Sequence, residues 1–284
     1  MSCGTEGIGK AIAIELARRK ATVYITGRNV DKTAIAVNEI IVCSGNGKVY
    51  GRCLDLSSFN SIRRFATAFK SDLKKLDILI ENAAYLGPMK KSVEGYEMTF
   101  TVNHLGHFLL FSELLPIINV CSKSRVVVVA SDAHIIGARN LNLEDLAWLR
   151  SPRKKYYSPY LAYGRSKVAN ILFTTGVNSR FGKDGISAFA VHPGATNTNL
   201  FRSWSDSRVK RLLLRCVASL FFRSPEQGAQ TIIYCATEED MNVSSSAELF
   251  VDCKATIPHL PMNYREVTER LWELSEQLVV NMDV

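Results

Sequence analysis

Short apolar runs rich in β-branched residues alternate along the chain with longer stretches in which apolar residues recur at helical spacing. The runs are ATVYITG (21–27), GKVYGRCLDL (47–56), LDILIENAA (76–84), SRVVVVAS (124–131), ISAFAVHPG (186–194) and AELFVDC (247–253). Each is short enough for a strand buried on both faces, and together they predict six strands. Between them, Ile8, Ile12 and Leu16 share one helical face, and SSFNSIRRFATAFKSDLKK opens with a serine cap and closes in lysines that suit the helix dipole. TFTVNHLGHFLLFSELLPII and AYGRSKVANILFTTGVNSRF predict two longer, largely buried helices. Strands alternating with helices point to an α/β fold, a doubly wound parallel sheet covered on both faces.

A sheet of that kind binds nucleotides where a strand's carboxyl end turns into a helix, because the helix N-terminus offers N–H groups and partial positive charge. The opening GTEGIGK has the glycines and the helix. Read as a GxxxxGK[ST] loop, it matches at Gly4, Gly9 and Lys10, but Ala11 has no hydroxyl for a magnesium ion. Read as a dinucleotide turn, it lets the backbone approach a pyrophosphate at Gly7, Ile8 and Gly9, and a second strand should end at the ribose about 20 residues later. VYITGRN ends there. Where an NAD enzyme places a carboxylate stands Arg28, which suits a 2′-phosphate, so NADP(H) is expected as cofactor. The bland alternative is that the two glycines merely end a loop.

YLAYGRSKVAN places Tyr163 and Lys167 four residues apart, on one face of a helix. A phenol titrates near ~10, so acid/base work near neutrality asks for a lower pKa, which a neighbouring ammonium and an oxidised nicotinamide would favour. Ser131 falls at the carboxyl end of a predicted strand, and Asn103 sits inside an apolar helix where an amide needs a reason. Alone, Ser131 reads equally as a turn hydroxyl and Asn103 as a buried amide satisfying backbone.

Taken in order, GIGKAIAIELARR, CLDLSS, ENAA, NHLGHF, VVVVASDAH, YGRSK and HPGATNT resemble the short-chain dehydrogenase/reductase family, and most closely its retinol-dehydrogenase-like branch. The resemblance covers essentially the whole chain and implies one Rossmann-like oxidoreductase domain over 1–284. It makes Tyr163 the proton donor or acceptor, and Lys167 the group that lowers its pKa and holds the nicotinamide ribose. It makes Ser131 the polariser of the substrate carbonyl and Asn103 the holder of a water in the proton relay. Asp55 and Leu56 would border the adenine, Asn82 the adjoining ribose, and Thr196 and Thr198 the carboxamide. Three departures stand out. Glu81 and Ala84 replace an amide and a glycine, Cys3 stands at the usual first glycine, and the strand expected ahead of the glycine turn is missing. By that reading the chain is an N-terminally incomplete form of a longer enzyme, many of whose relatives carry an apolar anchor ahead of the strand. A membrane-associated location, the endoplasmic reticulum included, then belongs to the longer form.

The family places its substrate lid at about 196–225. There Arg208, Arg211 and Arg215 share one helical side while Val209, Leu212, Leu213, Cys216, Val217 and Leu220 fill the rest. An apolar lid favours a lipophilic alcohol or carbonyl of retinoid or isoprenoid type, and its basic side suits anionic lipid. Much of the net charge of +8 is this local patch, not a groove for nucleic acid. The seven scattered cysteines show no zinc spacing and read as reduced thiols of an intracellular, cytoplasmic or membrane-associated protein. No apolar run reaches the ~18 residues of a membrane span, no metal site is expected, and His104, His107 and His134 read as packing or surface residues. The family often forms homodimers through its two long helices. The leading expectation is an NADP(H)-dependent oxidoreductase acting on a small lipophilic substrate; the competing one is a catalytically impaired, cofactor-sensing or partner-binding relative.

Overall fold

The computed structural model describes residues 4–120, 123–196, 223–239, 241 and 246–280. In chain order the principal elements are α1 (Gly7–Arg18), β1 (Val23–Gly27), α2 (Val30–Ser44), β2 (Val49–Cys53), α3 (Phe59–Asp72), β3 (Ile78–Glu81), α4 (Met98–Phe100), a π-helical turn (Thr101–Leu105), α5 (Gly106–Ile118), β4 (Ser124–Val129), α6 (His134–Ala138), α7 (Ala147–Arg150), α8 (Pro159–Phe181), β5 (Ile186–His192), α9 (Pro225–Thr237), β6 (Leu249–Val251), β7 (Lys254–Thr256) and α10 (Tyr264–Val280).

Among the described residues the strands form two parts. β1 pairs with β2 in parallel, and β3, β4, β5, β6 and β7 follow one another in a second ladder, parallel up to β6. The six predicted strands are present, with a seventh beside them. β7 returns antiparallel to β6 through a two-residue turn at Asp252 and Cys253, both at positive φ as a tight hairpin requires. Lys254–Thr256 is exposed and only three residues long, too short and polar to announce itself in an apolar pattern.

Side chains alternate across the central strands, which is why they read as unbroken apolar runs. Val126 and Val128 of β4 face one core, with Phe108, Phe111, Leu172, Phe173 and Trp272 of α5, α8 and α10. Val127 and Val129 face the other, with Ile12 of α1 and Ile232 of α9. Ile25 of β1 and Ile80 of β3 belong to this second core, so one apolar layer underlies both parts of the sheet. Gly4 N donates to Thr26 O at 3.2 Å, laying the approach to α1 against β1. The strand expected ahead of that turn would precede Gly4, and Cys3 lies outside the described residues.

Two local features position the chemistry. Between α4 and α5 the helix widens into the π turn, with Asn103 at its middle residue. Short π segments of this kind are one-residue irregularities that recur at functional sites. Where α6 crosses α8, Gly137 meets Gly164: a Cβ on Gly164 would stand 2.7 Å from Ala133 O and 3.0 Å from Gly137 N. Only paired glycines allow these backbones to approach so closely.

Candidate active site

Parallel strands bring their carboxyl ends to one edge of the sheet. Arg28 follows β1, Asp55 and Leu56 lie just beyond β2, Asn82 follows β3, Ser131 lies just beyond β4, and Pro193–Thr196 continues β5. The N-terminus of α1 opens at the same edge. Gly7 there has φ 55°, a left-handed conformation that a Cβ would strain, and no side chain caps the helix at Glu6. Arg28 is exposed, while Ile8 and Gly9 are buried beneath the turn. Asp55 accepts from the Ser57 backbone N–H at 2.9 Å and from the Ser57 hydroxyl at 2.7 Å, which stiffens the turn that presents Leu56. Gly194, at φ 77°, and Thr196, whose Oγ1 donates to Gly194 O at 3.1 Å, shape the turn after β5. Thr198 and the segment 197–222, where the basic lid helix was expected, lie outside the described residues.

α8 begins at Pro159 behind the Ser158 cap and carries Tyr163 and Lys167 on the side that meets the sheet. Both are buried, Lys167 completely. The Lys167 ammonium donates to Val129 O at 2.6 Å and stands 5.3 Å from the centroid of the Tyr163 ring. Burial lowers Lys167 to about 7. Burial also pushes the Tyr163 phenol up to about 12, opposed by a hydrogen bond with the Ser131 side chain. Burial disfavours the charged form of each group. Ser131 Oγ also accepts from Ala133 N at 3.3 Å, so the hydroxyl has a fixed orientation toward Tyr163.

Asn103 joins the set through its neighbours. Its Oδ1 accepts from Tyr85 N at 2.6 Å, and its Nδ2 donates to Tyr85 O at 3.0 Å and to Ser166 Oγ at 3.0 Å. Both amide hydrogens are thereby engaged, tying the loop after β3 to α8. Ser166, which sequence reasoning passed over, returns its own hydrogen to Tyr163 O at 2.7 Å. Asn170 was missed as well; its Nδ2 shares Val129 O with Lys167 at 3.2 Å. Its place one helical turn beyond Lys167 was the available signal.

One departure from the family pattern takes physical form. Glu81 ends β3 fully buried, with no hydrogen-bond partner among the described residues for either carboxylate oxygen, and burial raises its pKa well above the usual carboxylate range. His104 and His107 are packing residues, both lowered to about 3 by burial, whereas His134 contacts the Ser131 backbone. Among the described residues, no cluster of acidic, histidine and cysteine side chains is placed to hold a metal ion, and no helix is long and apolar enough to cross a membrane.

This geometry has relatives. A family model described as short chain dehydrogenase matches residues 2–142, and mouse retinol dehydrogenase 12 is 43% identical over 274 residues, covering 96% of this chain and 83% of the relative. The chain belongs to the short-chain dehydrogenase/reductase family. Human retinol dehydrogenase 11 is 39% identical over 275 residues, spanning 96% of this chain and 82% of its own length, which places the dehydrogenase in the retinol-dehydrogenase-like branch. An uncharacterised protein from Mycobacterium paratuberculosis superimposes with a TM-score of 0.72 at 33% identity, over 98% of this chain and 91% of that one. The dehydrogenase is therefore an oxidoreductase of alcohols and carbonyls that works with a nicotinamide cofactor. The residues present fit such a group: a glycine at positive φ opens an uncapped helix, and Lys167, a three-hydrogen donor, has one hydrogen bond among the described residues.

Proposed function

We propose that this dehydrogenase interconverts a lipophilic alcohol and its aldehyde or ketone using NADP(H), with Tyr163 as acid/base. The observation that carries the proposal is the Tyr163 phenol, buried, hydrogen-bonded to Ser131 and backed by the Lys167 ammonium. A bound nicotinamide would supply or accept the hydride. The remaining work falls to the chain. The Ser131 hydroxyl donates to the substrate oxygen and holds it within reach of Tyr163, and the phenol then gives that oxygen its proton, or takes it in the oxidative direction. Lys167 stabilises the phenolate left behind and offers its remaining hydrogens to ribose hydroxyls. Asn103, through Ser166 and Tyr85, fixes the helix that carries the pair. Arg28, exposed at the end of β1, supports the choice of NADP(H), since a guanidinium pairs with a phosphate in two-point geometry. Asp55, Leu56, Asn82 and Thr196 line the same edge and complete the cofactor groove. The retinol dehydrogenases among the relatives support a retinoid- or isoprenoid-like substrate.

The decisive experiment compares the parent chain with Tyr163→Phe for NADPH binding and for NADPH-dependent reduction of an apolar aldehyde, retinal being the probe. Tyr163→Phe is expected to bind NADPH like the parent and to lose about 10²–10⁴ in turnover. Turnover within tenfold of the parent overturns the acid/base role. Binding without turnover in the parent identifies a cofactor-sensing relative instead.

A further inference from the structure

Two histidines outside the proton-transfer set grip the turn that carries Ser131. His134, the first residue of α6, places Nδ1 2.8 Å from Ser131 O, while its Nε2 lies 3.1 Å from the backbone N of His259. A backbone N–H only donates, so Nε2 is the unprotonated nitrogen and Nδ1 carries the hydrogen that reaches the Ser131 carbonyl. Two contacts select one neutral tautomer. His134 is buried, which favours that neutral form.

On the other side, His192 closes β5 and sets Nε2 3.0 Å from Asp132 Oδ2, the residue that follows Ser131. The pair extends the β4–β5 ladder one step past the backbone bond from Ala130 N to Val191 O, at 2.7 Å. A carboxylate only accepts, so Nε2 donates. His192 Nδ1 is buried with no partner among the described residues, a tolerable state for an acceptor and a costly one for a donor. Asp132 itself is exposed, so its partner, not burial, holds it in place. Arg223 pairs with Asp252 beyond His192, which leaves the Asp132 carboxylate to the imidazole.

We infer that Asp132, His134 and His192 are positioning residues for Ser131, clamping its turn between β5 and the loop at His259 so that the hydroxyl stays on the Tyr163 phenol. The inference rests on the oxidoreductase reading and deepens it. Neither histidine touches the reacting atoms; each acts through the backbone on either side of Ser131. Their effect should appear in the chemical step and leave cofactor capture alone, because Arg28 and the α1 turn lie on other elements.

The test uses the full chain with NADPH and retinal, comparing Asp132→Ala, Asp132→Asn and His134→Phe. Asp132→Ala and His134→Phe are expected to lower kcat by more than about fivefold while KM, NADPH affinity and Tm stay near the parent values. Asp132→Asn keeps an acceptor for His192 Nε2–H and should recover kcat to within about threefold of the parent. A smaller loss in Asp132→Ala, no recovery in Asp132→Asn, or a joint fall of kcat, affinity and Tm overturns the inference. If His134→Phe fails to fold, the exposed Asp132 pair of variants decides alone. A parent without NADPH-dependent turnover overturns the oxidoreductase reading and this inference with it; an active parent that Tyr163→Phe silences and Asp132→Ala does not slow overturns this inference alone.

Discussion

The ammonium of Lys167 stands over the Tyr163 ring, 5.3 Å from its centroid, while bonded to the carbonyl of Val129 on the strand beneath. The contact joins a group that burial wants neutral to a phenol whose proposed acid/base role calls for that group to be charged. Stability and chemistry therefore pull Lys167 in opposite directions.

Lys167→Met should be more stable than the parent at pH 7 and inactive. Lys167 titrates at about 7 in the folded chain against ~10.4 unfolded, so between those values the unfolded state binds the extra proton. The parent's stability accordingly rises as pH climbs from 7 toward 10, and the methionine variant lacks that slope. Urea unfolding at pH 7 and at pH 9.5 checks this. A methionine variant less stable than the parent at pH 7 would refute it.

Glu81 predicts a slope of the opposite sign. Its raised folded pKa means that the native state keeps a proton the unfolded chain loses above about 4.3, so its contribution is fully present in acid and lost as pH rises through the folded value. Glu81→Gln, which cannot ionise, should gain on the parent as pH rises above about 4.3, until the folded value is passed. Thermal midpoints followed upward from about pH 4 measure it; parallel curves for the two proteins would show that Glu81 is not the buried acid described.

Arg28→Asp should invert cofactor choice. The carboxylate would repel a 2′-phosphate and accept from a 2′-hydroxyl, weakening NADPH binding by more than about tenfold while sparing NADH. Fluorescence titration of both cofactors on both proteins is sufficient, and an unchanged NADPH-to-NADH ratio counts against the placement of Arg28 at the ribose.

Gly164→Ala should damage fold and turnover together. The new methyl would press on Ala133 O and Gly137 N, both backbone atoms that cannot rotate aside. α6 must then move off α8, separating Ser131 from Tyr163, at a cost on the order of 1–3 kcal/mol. Unfolding midpoints and kcat should fall in the same variant; a stable, fully active Gly164→Ala would mean that the crossing tolerates a methyl.

The strands and long helices were legible because burial on both faces leaves an unbroken apolar run, as in SRVVVV, and burial of one face leaves a helical period, as in Ile8, Ile12 and Leu16. Tyr163 and Lys167 were legible because their spacing is local. Asn170 could have been read from its place one helical turn beyond Lys167, whereas nothing in the sequence says that Ser166 meets Asn103. The partnership of Asp132 with His192 is set by strand order, which brings together residues far apart in the chain. Glu81 was visible as a departure, but its complete burial follows from the layers above and below β3.

The π turn at Thr101–Leu105 makes chain length, as much as residue identity, a determinant of the site. An added residue in a helix rotates everything upstream by about 100° relative to everything downstream. Upstream stands Glu97, whose carboxylate caps Thr99 and Phe100 and accepts from the Tyr157 hydroxyl at 2.7 Å. Downstream stands the apolar face of α5, led by Phe108 and Phe111. The widened turn lets both faces point inward at once. Deleting Val102 would restore an ordinary helix and, with Ser131, Tyr163 and Lys167 all unaltered, swing Glu97 away from Tyr157 and Asn103 away from Ser166.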